Sequence, residues 1–232
     1  MQPYKYILLF SLGLMFYKPL QSQNPGVWLM NSGNTNLGAG VSFFTDIQFR
    51  KGHIVNNLEQ TLLYGGLTFR AKDLLFTLGG ARVANYIKVW DVIDPKSLYE
   101  NQAWEQLAYE FIIKPFYLEN RTRVEERFFS DKTYATRFRY LVRLTLPLNH
   151  RKMITGTYFV TCYDELFLNF KNKLFDENRF YVAGGYKFNP RLSVQSGYLF
   201  QTRSDGTFGF FQLLLAFNVN IKRHYSSFSS EQ

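Results

Sequence analysis

Leu118-Glu-Asn-Arg-Thr-Arg-Val-Glu-Glu-Arg-Phe128 sets a charge at every second position, namely Glu119, Arg121, Arg123, Glu125 and Arg127, while Leu118, Thr122, Val124 and Phe128 hold the other parity. The following segment repeats the pattern, with Arg137, Arg139 and Arg143 set against Phe138, Tyr140, Val142, Leu144 and Leu146. A period of two is the mark of a strand. The polar face of a soluble sandwich carries a mixture of Thr, Ser, Lys and Glu, whereas this one is an Arg/Glu ladder opposite a greasy, aromatic-rich face. That contrast fits a membrane β-barrel, with lipid outside the wall and polar groups inside it. The ladder points to an architecture and a place without pointing to a reaction.

Composition narrows the class further. A chain of 232 residues with 19% aromatics reads as one folded domain and not as a disordered or fibrous chain. Beyond the N-terminus there is no run of the roughly 18 or more apolar residues that a helical membrane span needs. Membrane strands escape such averages because their two faces cancel. The single cysteine, Cys162, excludes an internal disulfide and reads as a small lipid-facing or packing residue. Glycine-rich phosphate loops and metal-ligand spacings are absent, so no cofactor is expected.

The first residues resemble an export signal. Lys5 supplies the positive start, Tyr6 to Tyr17 the apolar stretch, and Ser22 a small residue before a cut, so the expected divisions are residues 1–22 as signal peptide, 23–221 as barrel and 222–232 as a polar tail. Export together with barrel-like strands implies the outer membrane of a Gram-negative cell. Loss of Lys5 and Lys18 lowers the formal net charge of +9 by two. Arginines confined to one strand parity leave little room for nucleic acid as a partner. The partners expected are outer-membrane lipid, the barrel-assembly machinery, and a small anion or an unknown surface ligand.

Turn signals divide the rest into segments of the length a tilted membrane strand requires. Strands are expected near 37–50, 56–69, 73–86, 101–113, 116–129, 134–146, 153–165, 178–188, 192–202 and 207–221. That makes an antiparallel up-and-down barrel of about ten strands, an even number as in bacterial outer-membrane barrels. The stretch Gly26 to Met30 is a further candidate, which with one more missed strand would yield about twelve. Short connections at 70–72, 114–115, 147–152 and 189–190 alternate with longer ones such as 87–100 and 166–177. By analogy with short periplasmic turns and long outer loops, both chain ends are expected in the periplasm. The pairs Gly65-Gly66, Gly79-Gly80 and Gly184-Gly185 lie within strands and are expected to let the wall curve or to make room for interior arginines.

Several pieces resemble a known family: the early Trp28, Arg121-Thr-Arg-Val-Glu-Glu-Arg127, Arg137-Phe-Arg-Tyr140 running to Leu146-Pro-Leu148, Tyr163-Asp-Glu-Leu-Phe167, and Glu177-Asn-Arg-Phe-Tyr181 leading into Gly184-Gly-Tyr186. In order and spacing the chain resembles the uncharacterised outer-membrane family catalogued as domain of unknown function 2490. The likeness is close over the C-terminal half and loose over the N-terminal half. It implies an outer-membrane β-barrel with no established activity.

Within such a barrel Glu119, Arg121, Arg123, Glu125, Arg127, Arg137, Arg139, Arg143, Glu165 and Arg179 would share the lumen, with Glu105 and Glu110 as further candidates. An interior of about eight to ten strands is largely filled by side chains. The leading reading is therefore a structural or surface-interaction barrel, whose arginine forks pair with carboxylates so that no charge is left bare. The main alternative is a narrow, anion-preferring pore. A membrane lipid-modifying enzyme is the weakest reading, because it rests only on His53 with Asp46, Glu59 and Ser42 near one rim. The connections 87–100 and 166–177 are the expected partner-binding surfaces.

Overall fold

The computed structural model describes residues 25–52, 59–86, 88–89, 92–93, 98–171 and 174–221. The expected signal segment, the polar tail and His53 lie outside them. Thirteen strands are described: β1 Gly26–Gly38, β2 Val41–Lys51, β3 Gln60–Ala71, β4 Leu74–Asn85, β5 Lys88–Val89, β6 Val92–Ile93, β7 Leu98–Ile113, β8 Phe116–Phe129, β9 Tyr134–Pro147, β10 Thr157–Asn169, β11 Phe175–Lys187, β12 Leu192–Arg203 and β13 Gly206–Asn220. β5 and β6 pair only with each other, and the other eleven close into one barrel.

The all-β, mostly antiparallel barrel is as expected, and the count falls between the two numbers considered. The eleventh strand is β1. The expected strand over 37–50 covers the end of β1, a tight turn and β2, because Gly38, Ala39 and Gly40 all take positive φ and reverse the chain there. Nearly half of β1 reads Asn31-Ser-Gly-Asn-Thr-Asn36, a composition depleted in strands, which is why the alternation does not announce it. It is held instead by its neighbours, antiparallel to β2 and parallel to β13.

That parallel seam changes the placement of the ends. An odd number of alternating strands starts at one rim and finishes at the other, so the ends do not share a side as expected. β1 begins at the rim that carries connections 52–59 and 86–97, here called the upper rim. β13 ends at the lower rim, with the turns 39–40, 72–73 and 114–115 and the longer connection 148–156. The alternation of connection lengths thus holds in the N-terminal half only. Residues 153–156 belong to that last connection, and β10 starts later than expected, at Thr157.

The register fixes the width of the barrel. Stepping from partner to partner, the line from Asn36 passes Ser42, Thr68, Thr77, Gln106, Arg123, Arg139, Phe167, Glu177 and Arg203 to reach Gly206 on β13. The direct β13 partner of Asn36 is Asn220, so one circuit climbs 14 residues, from 220 to 206. With a rise of ~3.3 Å per residue and ~4.8 Å between strands, the strands tilt by about 40° and the backbone wall has a radius of about 11 Å. This is wider than an eight-stranded barrel, whose interior side chains just fill it.

The two faces are inverted relative to a soluble protein. Phe49, Leu63, Phe76, Leu107, Val182 and Phe211 point outward and are between 41% and 51% exposed. Inward positions hold the buried charges together with an apolar cluster of Trp28, Leu141, Tyr163, Tyr181, Leu199 and Phe210. The strand glycines serve rings here and not arginines: Gly66 and Gly79 lie against the Trp104 indole, and Gly185 against the Phe159 ring.

Candidate functional site

The ten residues singled out by the ladder lie on inward parities of β8 to β11, where register brings them side by side. Glu125 on β8 is opposite Arg137, and Glu119 is opposite Arg143. Glu125 is fully enclosed, with Arg137 Nη2 at 2.6 Å and Arg139 Nη1 at 2.7 Å. Arg139 turns its other terminal nitrogen onto Glu165 at 2.7 Å, and Arg121 reaches the same oxygen at 2.8 Å. Arg123 stands further from Glu125, at 3.7 Å, and donates two hydrogen bonds to the Gln106 side-chain oxygen at 3.0 and 2.6 Å. Four guanidiniums thus share two carboxylates. Phe167, itself fully buried, supports this group as a platform, with Arg137, Arg139 and Arg179 stacked 4.3–5.3 Å from its ring centre.

Toward the lower rim Arg143 donates to Glu119 at 2.9 Å, and that pair is partly exposed. Toward the upper rim Arg127 holds Glu100 with two bonds, of 2.5 and 2.9 Å, and Arg179 pairs with Glu177. Glu110 lies near the lower rim, half-exposed and paired with Arg70 at 2.9 Å. Glu105 does not join the lumen. It has the opposite parity on β7 and points outward between Leu78 and Val124.

Several lumenal charges are missing from the set read off the ladder: Asp46, Arg50, Glu100, Asp176, Glu177 and Arg203. Glu100 and Glu177 are the last residues of two expected loops, and extending β7 and β11 by one alternation adds each to the inward face. Asp46 and Arg50 have a clear signal, since Ser42, Asp46, Gln48 and Arg50 alternate with Val41, Phe43, Thr45, Ile47 and Phe49. Asp46 is buried, and its Oδ2 accepts from Gln48 Nε2 at 2.9 Å while Gln48 accepts from the Trp28 indole at 3.1 Å. Its other oxygen has no partner among the described residues. Arg50 stacks 3.7 Å from the Trp28 ring centre.

Asp46 and Glu59 belong to the constellation considered for lipid chemistry, and the fold separates its members. Ser42 is at the lower end of β2, Asp46 at its middle, and Glu59 beyond its upper end. Seven carboxylates and nine arginines line a lumenal cavity of about 570 Å³. Its lining runs from Glu110 and Glu119 near the lower rim to Glu100, Arg127 and Arg203 at the upper one.

Fold and site together define a closed, inverted β-barrel with an ion-paired lumen. Over residues 25–210 the chain matches the family described as "Protein of unknown function (DUF2490)", and it belongs to that family. No curated protein and no solved structure matches it.

Proposed function

We propose that this chain is an outer-membrane β-barrel whose lumen is a narrow, charge-lined passage for small polar solutes, with a weak preference for anions. The observation that carries this reading is a cavity whose lining reaches from Glu110 and Glu119 near the lower rim to Glu100, Arg127 and Arg203 at the upper one, with a second cavity at the lower rim that shares Glu110, Glu119 and Arg143 with it. A lumen closed by side chains, the leading expectation for about ten strands, would leave no cavity lined over this height. Eleven strands with a 14-residue stagger leave more room than that. The outward apolar surface supports a lipid environment. So do the paired rings near strand ends, Phe128 with Tyr134 and Tyr186 with Phe188, as candidates for interfacial girdles.

Selectivity follows from the balance of the lining. Nine arginines against seven carboxylates make the passage mildly positive, and Glu125 is hidden behind its arginines. The purified barrel in planar bilayers should give small discrete channels with an anion-side reversal potential in a salt gradient. Arg123→Ala should move that potential toward zero, because Arg123 is the guanidinium least tied to Glu125 and its loss leaves Arg137 and Arg139 on that carboxylate. A folded barrel that never conducts would instead support the sealed, structural reading. Cell fractionation and heat-modifiable gel migration test the location.

A further inference from the structure

The lumen at mid-height is polarised from side to side. On one wall, β8 and β9 carry Arg121, Arg123, Arg137 and Arg139, which share Glu125 and Glu165, with Asp176 standing 3.6 Å from Arg137 as a further carboxylate. Four and five places round the barrel, β2 carries Asp46. The charges that act most strongly on Asp46 are Arg123, Arg121 and Arg139, yet no ion pair joins it to any of them. Glu125 and Glu165 hold the arginines against their own wall, and Gln48 holds Asp46 against the other. Opposite charges are therefore kept apart across the cavity instead of closing on each other. Such a transverse field favours a molecule that carries both charges. A simple anion is drawn to the arginines but repelled by Asp46, and a simple cation meets the reverse.

We infer that the mid-lumen is a binding site for small zwitterions, which place a carboxylate or other acidic group against Arg121 and Arg123 and an ammonium toward Asp46. The inference rests on the passage reading for access. About 570 Å³ is ample for a solute of amino-acid size. Tyr64, whose ring centre is 5.7 Å from the Arg123 guanidinium, lines the cavity between the two walls.

The test compares 4-aminobutyrate with its two halves, butyrate and n-butylammonium, by calorimetric titration of the full barrel in detergent and by block of its conductance in bilayers. The zwitterion should bind at least tenfold more tightly than either half. Asp46→Asn, a change of similar size that keeps an acceptor for Gln48, should erase that advantage and leave butyrate equal to 4-aminobutyrate. Equal binding of butyrate and 4-aminobutyrate to the unaltered protein would overturn the inference in favour of a plain anion site. Conducting channels that bind none of the three would overturn it while leaving the passage intact. Selective zwitterion binding by a barrel that does not conduct would uphold the site and remove the passage. If Asp46→Asn does not fold, the three-ligand comparison on the unaltered protein still decides.

Discussion

Glu125 is the most constrained charge in the molecule, enclosed on all sides and held by Arg137 and Arg139. A buried carboxylate in this setting stabilises little in net terms, because desolvation offsets attraction. Removing it alone is costly, because buried Arg137 loses its nearest carboxylate, keeping only Asp176 at 3.6 Å, and buried Arg139 loses one of its two. Glu125→Gln should lower unfolding stability by about 3–5 kcal/mol, read from the midpoint of urea-induced loss of the folded gel band. Glu119→Gln, in a partly exposed pair, should cost less than about 1 kcal/mol. Comparable losses for the two would show that enclosure does not set the cost. Outside the wall, Asp131 lies in the turn between β8 and β9. The Thr133 hydroxyl and then its backbone N–H donate to it, at 2.6 and 2.9 Å, and hold its carboxyl below the usual range. A depressed carboxylate adds stability above its unfolded value and loses it as pH falls through the folded one. Thr133→Val removes the larger of the two effects, so an NMR titration should find the Asp131 midpoint moved upward. The charges that alternate in long runs were legible as an inward face. Asp46 alternates with its apolar neighbours as clearly, but the strand expected over 37–50 takes in the turn at Gly38 to Gly40, which breaks the alternation at its start.

Elements differ in what makes them strands. β8, β9 and β13 announce themselves by alternation and β-prone residues, whereas β1 has neither over Asn31 to Asn36 and exists because β2 and β13 both offer it a ladder. Single-sequence periodicity cannot register a strand whose stabilisation is supplied by partners nearly two hundred residues away. The glycine pairs were legible as close approaches, and what approaches them was not, since that depends on register. At Gly79 an added methyl would sit 2.3 Å from the Trp104 indole and 2.4 Å from the Gly65 carbonyl. At Gly184 it would meet nothing within 4 Å. Gly79→Ala should therefore destabilise by about 1–3 kcal/mol through overpacking. Gly184→Ala should be neutral or slightly stabilising, because it restricts the unfolded chain. Equal unfolding midpoints for the two variants would refute the assigned register of β3, β4 and β7.

At the scale of the whole barrel the decisive property is parity. Ten or twelve strands would bring both ends to one rim, and eleven cannot. The seam must then be parallel, since β1 and β13 run the same way along the axis. Its eleven paired positions from Gly26 to Asn36 leave no frayed edge at which an added antiparallel strand would be needed for closure. If the barrel spans a membrane, positions just before β1 and just after β13 face different compartments. Pro25→Cys and Ile221→Cys, each made in a Cys162→Ser background, report this directly. A membrane-impermeant maleimide added to intact cells should label one of the two and reach the other only after permeabilisation. Pro25 is the one expected to react first, because β1 starts at the rim with the long connections 52–59 and 86–97, the side that corresponds to the exterior in outer-membrane barrels. Labelling of both, or of neither, in intact cells would require an even number of crossings and would break the parallel seam. Labelling of Ile221→Cys alone would keep the seam and reverse the orientation.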